Sequence, residues 1–170
     1  MATPSTAFLM YHELGLPGRA MCHSEPGYAR YVVPASDFRS QMERLASPGW
    51  HGRNVTQAIE SFGEKSVCIT FDDGCETDLI SAAPVLKELG FGATSYIAVK
   101  FLGKPGYMSH AQVRELYALG FEIGCHSLTH PYLTDVDRSR LRDETDGEVR
   151  RTIEEELEPV QAAHKGRRSS

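Results

Sequence analysis

Two short segments carry residue types that can do chemistry: Phe71-Asp72-Asp73-Gly74 and His126-Ser127-Leu128-Thr129-His130. On a helical turn, positions four apart project from one face, so His126 and His130 can reach one metal ion together. Adjacent residues of a strand point to opposite faces, which would separate Asp72 from Asp73. Gly74 lets the chain turn sharply there, so that both carboxylates can line one rim. One carboxylate then completes a two-histidine, one-carboxylate site with a coordination position open for water, the mark of a catalytic zinc site. The other stands beside that water as general base. Singly, each segment has a plainer reading: H-x-x-x-H recurs by coincidence, and paired aspartates in a turn are often only solvated. Jointly they point to a metal-activated water.

The elements needed to position them follow from the hydrophobic pattern. Residues 67–71 (VCITF) form an apolar run suited to a strand covered on both faces, and residues 7–11, 93–99 and 121–125 read as further strands. Between them lie helical patterns. Ser36 is read as the cap of a helix with Phe38, Met42 and Leu45 on its buried face, and a short turn is expected over residues 56–62. Leu79, Ala82, Leu86 and Leu89 keep a helical period that Pro84 must either kink or start. Ser109 with Gln112 makes a capping box ahead of Val113, Leu116 and Tyr117. Residues 15–33, rich in glycine and proline, are expected to form a long excursion. Residues 135–158 read as one mostly exposed helix with a thin stripe at Val149, Ile153 and Leu157.

Alternating strands and helices imply right-handed β-α-β units and a parallel sheet. Both motifs follow predicted strands, and the carboxyl ends of parallel strands share one rim, where ligands bind. The geometry thus gathers the two segments.

Composition bounds the rest. The chain has 170 residues, 41% hydrophobic and 24% charged, as expected of a single globular domain. Eighteen basic against 23 acidic residues leave a net charge of −5, which argues against a nucleic-acid partner. No apolar stretch approaches the ~20 residues of a membrane span. No secretory signal opens the chain, so the default expectation is a cytoplasmic location. The four cysteines, Cys22, Cys68, Cys75 and Cys125, are widely spaced without a C-x-x-C pair. They read as free thiols, with little support for a cysteine-ligated zinc site.

FDDG after an apolar strand, EIGCHSLTH after a glycine-terminated helix, and the opening LMYHE together resemble the polysaccharide deacetylases of the NodB-homology type, the fourth carbohydrate esterase family. Within it, the look is that of the poly-N-acetylglucosamine deacetylase branch. The resemblance runs from about Phe8 to Leu133. It implies an α/β fold, a distorted parallel-strand (β/α) barrel, over residues 1–160, with a polar tail at 161–170. It implies Asp72 as catalytic base and Asp73, His126 and His130 as metal ligands, with Ser127 or Thr129 orienting a ligand. The metal is a divalent ion: zinc, with cobalt, nickel or manganese as alternatives. The implied reaction is hydrolytic removal of N-acetyl groups from N-acetylglucosamine-containing poly- or oligosaccharides. His12, Cys75 (through its backbone N–H, as an oxyanion donor) and Tyr132 are candidates for substrate binding.

The family's late motifs, an R-x-P-Y-like segment and an L-x-H histidine, are not found after Leu133. The expectation is therefore an incomplete barrel with an open sheet edge, prone to self-association. A metal- or glycan-binding relative without catalysis, or a hydrolase of another amide, are the alternative readings.

Overall fold

The computed structural model describes residues 6–60, 65–145 and 147–167. Strands β1 (Thr6–Tyr11) and β2 (Glu13–Gly15) are separated only by His12. The excursion that follows holds a 3-10 turn at Tyr28–Tyr31 and returns as β3 (Val32–Pro34), which pairs in parallel with β2. Helix α1 (Ala35–Ala46) starts directly from Pro34, so Ser36 is not its cap. Proline needs no hydrogen bond for its nitrogen and already has a helix-compatible φ, which makes it a sufficient entry. The Ser36 hydroxyl turns instead to Asp37 Oδ1 at 3.3 Å. Phe38 and Met42 are fully buried, as their spacing predicts.

Next come β4 (His51–Arg53), α2 (Val55–Glu60) and β5 (Ser66–Phe71). Phe62, the end of the turn expected after Thr56, lies outside the described residues. A π-turn at Asp78–Ala82 runs into α3 (Ala83–Glu88), so Pro84 sits in the first turn of the α-helix proper and no interior hydrogen bond is lost. Then follow β6 (Thr94–Ile97), α4 (His110–Ala118) with the Ser109–Gln112 capping box, and β7 (Glu122–Cys125).

The main sheet has five parallel strands rather than the expected four. β5 pairs with β1 along its whole length on one side. On the other side β4 covers its first half and β6 its last two residues, and β7 extends β6. Two strands sharing one flank of β5 is the distortion of the barrel. β4 has no hydrophobic period to reveal it; Gly52 is there because the Phe91 ring occupies the space a Cβ would need. Among the described residues no strand pairs with the outer edge of β1 or β7, so the barrel is incomplete.

Register assigns the faces. Tyr11, Phe71 and Ser95 lie abreast on one face, and Met10, Thr70 and Thr94 on the other. The Tyr11–Phe71 face, with Val67 and Ile69, packs on Phe38, Met42, Leu86, Val113 and Leu116 of the helices and forms the core. On the opposite face Phe8 and Met10 of β1 remain 59% and 63% exposed.

The charged C-terminal segment is not one exposed helix. It forms α5 (Arg138–Thr145) and α6 (Gly147–Arg167), and α6 packs on α4 and β7. Ile153 and Leu157 are buried, because apolar residues one turn apart suffice to dock a helix whose other faces stay solvated. The Val149 side chain lies outside the described residues, and the helix extends through the region read as a polar tail to Arg167. Truncating Ile153 to alanine should cost about 2–4 kcal/mol, as buried isoleucines do. A lowered urea midpoint at unchanged slope checks it, and no shift would mean that α6 is not part of the cooperative core. No helix among the described residues is long and apolar enough to cross a membrane.

Candidate metal site and cleft

The carboxyl ends of β5 and β7 flank that of β6, and the two motifs leave the sheet side by side. The Asp72 N–H still donates to Tyr11 O at 2.9 Å, so the strand ladder carries through to the first aspartate. The turn begins one residue before the glycine: Asp73 itself adopts φ 74°, followed by Gly74 at 77°. Aspartate tolerates the left-handed region better than most residues, and a Cβ on Gly74 would come 2.9 Å from Ile97 Cδ1. This double left-handed step is what brings neighbouring carboxylates to one site.

The histidine segment is not the helical turn that its spacing suggests. Ser127 and His130 have φ of 65° and 56°, which no right-handed helix accepts. The loop is instead stitched to the end of β6. His126 N–H donates to Ile97 O (2.8 Å), while Val99 and Lys100 N–H donate to Ser127 and Leu128 O (3.3 and 2.9 Å). The Ser127 hydroxyl accepts from His130 N–H at 3.0 Å. The imidazoles meet all the same, with ring centroids 4.9 Å apart.

Asp73 Oδ1 lies 3.5 Å from His126 Nε2 and 3.3 Å from His130 Nε2. Yet it is buried and makes no hydrogen bond, so these contacts are not ordinary carboxylate–imidazole bonds. Ligands held tetrahedrally at zinc bond lengths of 2.0–2.1 Å are about 3.3 Å apart. The three atoms thus have the spacing of ligands about a shared ion, and the residues could hold a divalent metal. Asp72 Oδ2 is 4.0 Å from His126 Nε2, adjacent to the three without being one of them.

Electrostatics agree with that division. Burial raises the Asp72 carboxyl above its ordinary value, against the pull of His126 and His12, the direction that strengthens a carboxylate as a base. Burial likewise lowers His126, against the pull of Asp72 and Asp73, keeping the neutral imidazole that ligates metals. Fully buried beneath the turn, Asp78 is pushed well up by desolvation while accepting from the Ser95 hydroxyl at 2.7 Å.

Sequence reasoning missed Glu144, whose carboxylate anchors the histidine loop. It accepts from Thr129 N–H (2.7 Å) and the Thr129 hydroxyl (2.5 Å), so Thr129 does not orient a histidine. Burial pushes Glu144 up, but the Thr129 hydrogen bonds outweigh it and hold the carboxyl below its ordinary value near 4.5. A depressed folded pKa contributes stability that is complete above the unfolded pKa and is lost as pH falls through the folded one. The loop should therefore loosen below about pH 4.5 in the native chain. The Glu144→Gln variant should lack this acid-dependent component, read as the pH slope of thermal stability between about pH 5 and 3. Equal slopes would remove Glu144 as the anchor.

Around these atoms opens a cleft of about 1120 Å³. His12 lines it, its ring 5.0 Å from Tyr31, and so does Tyr132, which is 76% exposed. The Cys75 side chain does not: it is wholly buried behind the turn, facing the Tyr28 hydroxyl at 3.7 Å. Its backbone lies differently. The bridge between Cys75 and Tyr107 is closed by the neighbours, Met108 N–H to Gly74 O (3.0 Å) and Glu76 N–H to Gly106 O (2.9 Å), which leaves the Cys75 N–H outside that ladder. The remaining aromatic wall, Tyr28, Tyr31, Phe101 and Tyr107, comes from the excursion and the loop after β6. Only the rule that loops at strand ends gather could have pointed to them.

The family model for polysaccharide deacetylases matches residues 60–161, more than half of the chain. YxkH of Bacillus subtilis (strain 168), named for that family, is 30% identical over 116 residues, covering 65% of this chain and 42% of that protein. The poly-beta-1,6-N-acetyl-D-glucosamine N-deacetylase of Staphylococcus aureus (strain MSSA476) is 29% identical over 124 residues with the same coverages. The matched region thus spans about two-fifths of the length of these curated relatives. Among solved structures, the Streptococcus pyogenes deacetylase PplD in complex with acetate superposes with a TM-score of 0.73 at 19% identity, over 92% of this chain and 71% of that one. IcaB from Ammonifex degensii does so with a TM-score of 0.61 at 24% identity, over 79% and 57%. At these identities the structures speak for the shared distorted-barrel fold alone; the match over residues 60–161 makes this chain a member of the polysaccharide deacetylase family.

Proposed function

We propose that this chain hydrolyses N-acetyl groups from N-acetylglucosamine-containing poly- or oligosaccharides, using a divalent metal held by Asp73, His126 and His130. The observation that carries this reading is the buried, unpaired Asp73 Oδ1 between two imidazoles, with a second carboxylate beside them. Zinc suits two nitrogens and a carboxylate oxygen; cobalt, nickel and manganese are also compatible. When bound, such an ion supplies Lewis acidity to an amide carbonyl and lowers the pKa of water.

The protein's own groups do the rest. Asp72 accepts the proton of the attacking water at its carboxylate, whose raised pKa matches that task. The Cys75 N–H, outside the ladder beside it, is a donor for the oxyanion that develops as the carbonyl becomes tetrahedral. Tyr132 offers an exposed ring face to a sugar, and His12 lines the same cleft next to Tyr31.

The experiment is acetate release from N-acetylglucosamine oligomers by chelator-stripped chain, with and without added divalent metal. Release that depends on metal supports the reading. Metal retained without acetate would replace it by that of a non-catalytic metal- or glycan-binding relative. The exposed Phe8 and Met10 on edge strand β1 also support self-association. Sedimentation should give a mass that rises with concentration; a constant monomer mass would count against it.

A further inference from the structure

We propose that Glu13, Cys22 and Cys75 form a second cation site, separate from Asp73, His126 and His130, that takes one thiophilic divalent ion of the zinc class. The three come from different segments: Glu13 opens β2, Cys22 lies in the excursion, and Cys75 follows the site turn. One donor atom from each, a carboxylate oxygen and two sulfurs, falls within 4.8 Å of the others. Ligands about a tetrahedral zinc with Zn–S near 2.3 Å and Zn–O near 2.1 Å stand about 3.6 Å apart, so the donors would have to close by at most about 1.2 Å.

The donors are held in place from outside. The Cys22 N–H donates to Glu13 Oε2 at 2.9 Å, which fixes the carboxylate. Cys22 Sγ sits 2.9 Å from Gly106 O, and a Cβ on Gly106, whose φ is 88°, would come equally close to that sulfur. The Tyr28 hydroxyl flanks Cys75 Sγ on the far side at 3.7 Å. Glu13 and Cys75 are 2% and 0% exposed. A carboxylate so buried calls for a countercharge. The nearby Arg19 guanidinium is engaged at 2.5 Å by Glu76. Arg19 attracts Glu13 only at a distance, and a divalent cation between Glu13 and the two sulfurs would give that carboxylate a direct partner.

Two soft sulfurs and one oxygen select zinc over magnesium or calcium, and three protein ligands leave one position open. Cys22 lines the cleft, so that position can be reached by water. Such an ion would tie the excursion, one wall of the cleft, to the loop that carries Asp73. The wide spacing of these cysteines along the chain is no objection, because the fold and not the sequence brings them together.

The test uses the full chain, reduced, stripped with chelator and titrated with Co²⁺ alone. A thiolate-to-cobalt charge-transfer band in the near ultraviolet is expected in the wild type. It should persist in the double variant Asp73→Asn/His126→Ala, which respects the left-handed backbone at residue 73, and vanish in Cys22→Ser, whose side chain is half-buried and tolerant. Glu13→Gln should weaken cobalt binding at this band at least tenfold. Absence of the band in the wild type, or its full retention in Cys22→Ser, overturns the proposal. So does a Cys22–Cys75 disulfide found by thiol titration and peptide mapping of chain purified without reductant. Because the double variant changes two of the three ligands of the other site, failure of one site is distinguishable from failure of the other.

Discussion

Asp72→Asn is expected to keep its metal and lose deacetylation by about 10²–10⁴-fold, the usual contribution of a positioned general base. Asparagine matches the shape of aspartate, and the backbone bond from residue 72 to Tyr11 O does not involve the side chain, so the fold should persist. What changes is the capacity to accept a proton beside His126, 4.0 Å away. Measured together, acetate release and bound metal separate the roles: activity falls while stoichiometry holds. Wild-type turnover in this variant would assign the base elsewhere; loss of metal would make Asp72 a ligand.

The second large effect belongs to Asp73. Asp73→Asn should lower affinity for the histidine-bound metal by more than the roughly 10–100-fold lost when an outer-shell partner is removed, since a direct ligand is lost. Asparagine is the better probe than alanine, because residue 73 has φ 74° and asparagine tolerates that region. His126→Ala removes a ligand from the other segment and should act alike. Metal analysis after dialysis should find one equivalent fewer than in wild type for each variant. Unchanged stoichiometry in both would sink the assignment. The structure adds a reason to expect little collapse: the His126 backbone is held by Ile97 O and its loop by Glu144, neither through the imidazole.

These effects involve residues legible from type and spacing, but the reason they meet was not. Helical projection was the sequence-level argument for pairing His126 with His130, and the structure pairs them through a loop with two left-handed residues. The rings lie 4.9 Å apart for a different reason, since a loop pinned by Ile97, Val99, Lys100 and Glu144 can aim side chains as firmly as a helix. Glu144 itself sits in a stretch so rich in charge that nothing set it apart. Its importance comes from burial against Thr129, which only packing creates.

Local pattern sufficed where a segment's own chemistry decides its conformation. The apolar run of β5, the capping box before α4 and the glycine after the two aspartates could each be read directly from residue order. So could the parallel sheet, because alternating strands and helices admit few other arrangements. Tertiary structure alone decided what depends on neighbours distant in sequence. It made β4 a strand through pairing with β5, docked α6 by Ile153 and Leu157, and turned the Cys75 side chain into the protein. It also left Asp73 Oδ1 buried without a hydrogen-bond partner, the feature that most directly calls for a cation. Residue types set which atoms were available; their desolvation and mutual distances arise only when separate strands end side by side.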